Sequence, residues 1–407
     1  MTLHAKIPPA PPTATVAPEI LASATVELAA FRRMVRLAHQ ITPRVSAVPI
    51  LSCALMTIAD GTLQLRATDL DTHLSQSIAA DTVAGISLPV RTATLAAFAS
   101  AASGRVTVEL QSDPNGLAPT LLSLRDGDLT LRHRCMMPAE DFPAIPTGSG
   151  PVLVWEQSPE SLHRLLGLSR HCISTEETRY YLNGIFLTTK PGASTLRAIA
   201  TDGHRLACID SEVQADFAAL QGADGTPHSQ QPGVIVPRPL VQILHQLTRK
   251  GGKDPLQVTA QGQLLSIRLP GISIVAKTID GIYPDYTRVI PEASGAITAH
   301  LTKAQLTKLH RAAAALEDRY QARPARLDIA SRRISVAGGD GNSVSLPLQV
   351  TAAEGTAQEP FGYDLRYLLA QASATPAFTI RAESRDHPAL LLGEDPLAIF
   401  VLMPMRV

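Results

Sequence analysis

Apolar and polar positions follow a pattern that starts afresh three times along the chain. Each start is a short strand-like run that leads straight into an amphipathic stretch of helical period. The first is a strand at 25–28 before a helix at 29–40; the second, a strand at 152–155 before a helix at 159–171; the third, a strand at 297–301 before a helix at 303–316. Ser158 followed by Pro159 reads as an N-cap with proline in the first turn. Thr302 with Gln305 fits a capping box. After each helix comes a hairpin whose second strand runs into an Asp-bearing turn, at 63–69, 196–202 and 334–340. A second helix follows, at 91–102, 238–249 and 364–372, and a closing hairpin at 121–137, 264–278 and 390–403.

Each repeat therefore reads strand, helix, three strands, twice over. Two helices with about eight strands suit an α+β layout, both helices lying on one face of antiparallel sheets. Three such copies in a row suit an arc.

Composition narrows the function classes. The 407 residues are enough for several domains, and hydrophobic residues at 45% can fill several cores. Aromatics are only 4%, so aliphatic side chains do most of the packing. Lys plus Arg equals Asp plus Glu at 36 each, so any basic surface must be local. Cys53, Cys135, Cys172 and Cys208 are dispersed and form no C-x-x-C pair. That pattern indicates reduced thiols, with no zinc ribbon and no disulfide framework; no cofactor and no metal is expected. No apolar run reaches the ~18 residues of a membrane span, and a cytoplasmic location is expected. Residues 1–23 are rich in Pro, Ala and Thr, lack the features of a secretory signal, and read as a flexible extension.

The local basic surface falls on helix faces. Arg32, Arg36 and His39 share one side of the first helix, and Arg238, His245 and Arg249 one stripe of the fourth. Lys308 and Arg311 share a face of the fifth, and Arg164 with His171 continues the theme on the third. One such face is an ordinary solvated surface. Four of them, on helices of a repeat, suit contact with phosphates irrespective of base sequence. Apart from Tyr180-Tyr181, binding aromatics do not cluster, so base stacking is not the main mode.

Four strings carry the most specific signal: Arg179-Tyr180-Tyr181-Leu182-Asn183-Gly184, Ala200-Thr201-Asp202-Gly203-His204-Arg205-Leu206-Ala207, Asp280-Gly281-Ile282-Tyr283-Pro284-Asp285-Tyr286, and Val401-Leu402-Met403-Pro404-Met405-Arg406-Val407. With these the chain resembles the sliding clamp family, the bacterial DNA polymerase III beta subunit, from about Thr25 onward. The resemblance implies three repeated DNA-clamp domains at 24–149, 150–289 and 290–407, forming half of a ring that a second copy closes around duplex DNA. It implies a homodimer that is not an enzyme. Partners would be DNA polymerase, clamp loader and repair proteins, held through short peptides in a cleft between the second and third domains, with no membrane association. Carried over by motif, that cleft would use Leu182, Thr201, Gly203, His204, Arg205, Leu206, Pro284, Arg288, Val289, Tyr320, Tyr367, Met403, Pro404, Met405 and Arg406. DNA contact would involve Arg44, Tyr180 and Tyr181 by similarity, with Arg32, Arg36, Arg238, Arg249, Lys308 and Arg311 from the helix faces.

Some positions depart from the family pattern. Residues 214–231 look like a lengthened loop, Asp364 stands where Asn is usual, Thr287 where a basic residue is frequent, and 317–324 differ throughout. Arg132 falls where an apolar interface residue is expected, and an unpaired buried charge there would cost stability. Other readings are a divergent paralogue serving a plasmid or a specialised polymerase, a monomeric peptide-binding adaptor, and a hydrolase using Asp202 and His204. The last lacks a nucleophile elbow, a phosphate loop or zinc spacing.

Overall fold

A computed structural model describes residues 19–83, 85–112, 120–220, 232–292, 297–316, 324–338, 341–353 and 360–407. The chain separates into two compact units, Met1–Pro146 with Pro270–Val275, and Thr147–Leu269 with Ala276–Val407.

In the first unit the opening strand is Ile20–Val26, so residues 20–23 belong to a sheet and not to the predicted extension. It leads into helix α1, Leu28–Ile41, whose Phe31, Met34, Val35, Leu37, Ala38 and Ile41 are buried. Helix α2 spans Thr92–Ala101. The two helices meet edge to face at Phe31 and Phe98, with ring centroids 6.5 Å apart. Arg32 donates from Nε to Ala99 O at 2.7 Å and from Nη2 to Ala102 O at 2.5 Å, satisfying carbonyls at the end of α2. His39 Nδ1 lies 3.0 Å from Thr92 Oγ1. The basic stripe predicted for this helix is thus largely turned onto α2, and Arg36 is its exposed member. A five-stranded antiparallel sheet places Ile20–Val26 between Asp81–Val83 and Val106–Gln111, followed by Thr120–Asp126 and, outermost, Leu129–Cys135.

The second unit holds α3 (Pro159–Ser169), α4 (Arg238–Thr248), α5 (Lys303–Ala313) and α6 (Leu365–Ala374). Ser158 Oγ accepts from Ser161 N and Thr302 Oγ1 from Gln305 N, as the caps predicted. The capping box is one-sided, because the Gln305 amide donates to Pro347 O. Nine antiparallel strands form one sheet: Gly233–Pro237, Gly184–Thr189, Thr195–Thr201, Arg205–Gln214, Ala398–Leu402, Ala389–Leu392, Ala377–Ala382, Ile297–Thr302 and Gln349–Ala353. Its central seam pairs Arg205 with Leu402 and Leu206 with Val401, joining segments remote in sequence.

The element order repeats three times, as the hydrophobic pattern predicts, in an α+β fold with six α-helices among the described residues. One difference recurs. The strand leading directly into each second helix, Ile86–Arg91, Gly233–Pro237 and Phe361–Asp364, is implied by the strand, helix, three strands pattern but was not placed on particular residues. Each is short, and apolar stretches such as Val234–Val236 do not alternate, so periodicity does not mark them.

Two further expectations are corrected in this unit. Arg164 is not a free cation on α3. Its guanidinium holds Asp395 through Nε and Nη2 at 2.6 and 2.7 Å, and Asp210 O through Nη1 at 2.8 Å. His171 is tucked in against Phe400 and bonds Gln371 Oε1 through Nε2 at 3.0 Å. Burial above all, then the charge of Arg205, pushes its pKa down to about 4, so the ring is neutral near pH 7.

Candidate functional site

The site is built on the turn between Thr195–Thr201 and Arg205–Gln214. Asp202 Oδ1 accepts from His204 N at 3.0 Å and Arg205 N at 3.1 Å, an Asx-type turn. Thr201 Oγ1 donates to Arg205 O at 2.7 Å and accepts from Gly203 N at 3.1 Å. Gly203 has φ +90°, and a Cβ there would stand 2.6 Å from Arg179 Nη1. The turn therefore requires glycine for its backbone, and a side chain there would push the Arg179 guanidinium aside. Asp202 Oδ2 accepts from Arg205 Nε at 2.9 Å. The Asp202 carboxylate is occupied by this turn and by Arg205, an arrangement that shapes a wall and gives no support to the hydrolase reading.

The remaining walls come from three other strings. Arg179, held by Glu176 through two bonds of 2.8 and 2.7 Å, precedes Tyr181 and Leu182. Pro284, Asp285, Tyr286 and Val289 form the opposite side. Asp285 Oδ1 accepts from Thr287 N and Thr287 Oγ1, which fixes this short helical turn. Val401 and Met403 close the third side, and Met403 N donates to His204 O at 2.8 Å. Below lies a buried apolar cluster including Leu182, Leu206, Cys208, Tyr283, Tyr286 and Val401. Phe186 and Tyr283 stack within it, 4.8 Å apart and nearly parallel. The result is a cavity of about 250 Å³ with an apolar floor and a rim bearing two guanidinium groups and an imidazole.

Nine predicted cleft residues line this cavity: Leu182, Thr201, Gly203, His204, Arg205, Leu206, Pro284, Val289 and Met403. Tyr367 stands behind them, with Arg205 Cζ 4.4 Å from its ring centroid and the His204 ring stacked at 6.1 Å. Arg288 is exposed on the turn whose Tyr286 and Val289 face inward. Pro404, Met405 and Arg406 line a neighbouring recess that shares Met403. Tyr320 lies outside the described residues. Arg179, Tyr181, Asp285, Tyr286 and Val401 were not predicted as lining, although every one sits inside one of the four strings. Asp364 caps α6, accepting from Arg366 N and from the Arg366 guanidinium.

Among the residues predicted for DNA contact, Arg36, Arg44, Arg249, Lys308 and Arg311 are exposed, and Tyr180 is 53% exposed. Arg32 is engaged with α2. Arg238 donates from Nη2 to Ile173 O at 2.8 Å. Tyr181 is partly buried at the pocket, so the two adjacent tyrosines have different surroundings. All four cysteines are buried free thiols. Among the described residues no group of three or more His, Cys, Asp or Glu is placed to hold a metal ion, and no helix is long and apolar enough to cross a membrane.

Repeated α+β units in this order point to the DNA polymerase III beta subunits. The family described as DNA polymerase III beta subunit, central domain, matches residues 157–285. A beta sliding clamp from Caulobacter vibrioides is 30% identical, the match covering 94% of this chain and 99% of that protein. The beta sliding clamp of Salmonella typhimurium is 26% identical over 88% of this chain and 93% of its own length. Among solved structures, a DnaN sliding clamp from Bartonella birtlesii bound to griselimycin superposes with a TM-score of 0.79 at 28% identity, covering 95% of this chain and 99% of that one. The C. crescentus beta sliding clamp, with PEG bound to a putative beta-motif tethering region, gives 0.80 at 28% identity, with the same coverage. The chain belongs to the beta sliding clamp family.

Proposed function

We propose that this chain is a non-catalytic processivity factor. As a homodimer it encircles duplex DNA without reading sequence, and it tethers DNA polymerase, clamp loader and repair proteins through short peptides. The working arrangement is three clamp domains per subunit, at 24–149, 150–289 and 290–407, in the cytoplasm. The observation that carries the reading is one cavity that gathers nine of the predicted cleft residues, eight from four separate strings and Val289 from just beyond the third. An apolar floor with a few polar groups at the rim suits side chains of an extended segment, which gain burial below and orientation above. Exposed Arg36, Arg44, Arg249, Lys308 and Arg311 supply cations for phosphate contact. The outermost strand Leu129–Cys135 offers an edge for a second copy, and Arg132, exposed on it, would need an opposite charge across that contact.

The test is topological. With a clamp loader and ATP, the protein should remain on nicked circular DNA through gel filtration and be lost once the circle is cut. Equal retention on circular and linear DNA would sink the ring. Sedimentation should give a dimer, and a persistent monomer would favour the adaptor reading instead.

A further inference from the structure

We infer that the second repeat keeps an open slot for an added β-strand, and that the slot accepts an extended, lysine- or arginine-bearing segment of another protein. In the first repeat the opening strand Ile20–Val26 is flanked on one edge by Asp81–Val83. In the third, Ile297–Thr302 is flanked in the same way by Gln349–Ala353. Both flanking strands run antiparallel, and each begins directly after the strand before it, Thr72–Ala79 or Ser343–Pro347. The second repeat departs from this. Its corresponding strand, Arg205–Gln214, runs on instead of crossing over: Gln214 faces Thr195, and Ala215 N donates to Ser194 O at 2.8 Å. Among the described residues the opening strand Val152–Gln157 therefore pairs only with Leu256–Gln261 and ends its sheet. The backbone groups along its other edge have no strand partner among those residues, which makes that edge a template for pairing with another chain.

A recess lies where the chain does not cross. It has a volume of about 750 Å³, with Glu156 and Gln157 of the opening strand on one wall and Ser211 and Glu212 of the strand that runs on as another. Glu160 and Arg164 of α3 also line it. The Arg164 guanidinium is already taken by Asp395. Glu156, Glu160 and Glu212 are exposed carboxylates with no ion pair among the described residues, so the recess favours a cationic occupant. The strand itself adds a second requirement. Val152 and Val154, 46% and 51% exposed, share one face with Glu156. Counted back from the first residue of each helix, Val154 is equivalent to Ser23 and Thr298, which face Val83 and Ala352. Glu156 is likewise equivalent to Thr25 and His300, which face Asp81 and Gln349. An added antiparallel strand would lay an apolar side chain beside Val154 and a polar one beside Glu156, where the carboxylates select lysine or arginine. The slot shares no lining residue with the pocket beside the Thr201 turn.

The experiment titrates the full chain into labelled synthetic peptides and follows fluorescence anisotropy. One peptide alternates valine and threonine and ends in two lysines. A second carries glutamates in place of the lysines, and a third is the lysine peptide with every amide N-methylated, which removes its backbone donors. At low salt the lysine peptide should bind about fivefold more tightly than the glutamate peptide, and the N-methylated one should not bind. The double variant Glu156→Gln/Glu212→Gln should lose the lysine preference while its urea unfolding curve stays in place, since both side chains are exposed. Equal binding of the lysine and glutamate peptides, binding of the N-methylated peptide, or a preference that survives in the double variant would each overturn the proposal. So would failure of the lysine peptide to bind. Binding that appears only after deletion of residues 221–231 would show that the slot is filled from within the chain, and would overturn it as well.

Discussion

The backbone amide of Met403 donates to the carbonyl of His204 across 2.8 Å. The bond prolongs the ladder in which Leu206 faces Val401 and Arg205 faces Leu402. Two strings far apart in sequence thereby become one continuous wall, and each side chain on it has a separable role in stability or in binding.

Leu206 is 2% exposed in the cluster under the pocket, whereas Met403 is 39% exposed at its edge. Leu206→Ala should lower stability by roughly 2–5 kcal/mol in urea unfolding. Met403→Ala should leave stability within about 0.5 kcal/mol and weaken peptide binding. The reverse pattern would mean that the floor and the rim have been misassigned.

Gly203→Ala should cost about 1–2 kcal/mol, because L residues are strained at positive φ and the new Cβ would meet Arg179. In an Arg179→Ala background the cost should shrink without vanishing, since only the collision is relieved. Thermal unfolding of the four proteins separates the two contributions.

His171 gives a pH dependence of definite sign. Its folded pKa of about 4 lies below the ordinary 6.5, so the unfolded chain binds more protons between those values. Stability from this group is complete above pH 6.5 and declines as pH falls toward 4, by roughly 3 kcal/mol in all. Urea unfolding across that range should show His171→Gln losing less stability than the unaltered protein. Parallel curves would show that the imidazole does not control the slope.

Neighbouring cations should also divide by role. Arg32 and Arg164 hold carbonyls and a carboxylate, so their replacement by Met should cost about 1–2 kcal/mol in unfolding and leave the salt dependence of DNA binding alone. Arg36→Ala and Arg249→Ala should leave stability nearly unchanged. Each should reduce the slope of log affinity against log salt by about 0.9 for every phosphate that is no longer neutralised. Binding isotherms at several salt concentrations, with matched unfolding curves, check both halves.

Periodicity and capping residues make the helices and their threefold order legible, because both depend on near neighbours in the chain. Ser158 and Thr302 cap where expected. What lies across from a helix is not written in its period. Arg32 and Arg36 are one turn apart on the same side, yet Arg32 finds the end of α2 and Arg36 finds water. Nothing near Arg164 in the chain points to Asp395, which arrives from a distant segment. The pocket is legible as strings, not as individual positions. Tyr286 and Val401 lie inside them, but only the sheet register turns Val401 toward Leu206. Asp364 departs from the family pattern, and its place as the cap of α6 explains why a carboxylate serves there.

The seam between Arg205–Gln214 and Ala398–Leu402 also sets an order in time. During synthesis the turn, the tyrosine pair and the proline segment all emerge before the strand that closes their third side. A chain interrupted short of Ala398 has the first walls of the pocket and no Val401 or Met403 to complete it. Completion of the cavity therefore waits on the Ala398–Leu402 strand and Met403, so a shorter product would lack two of its lining residues.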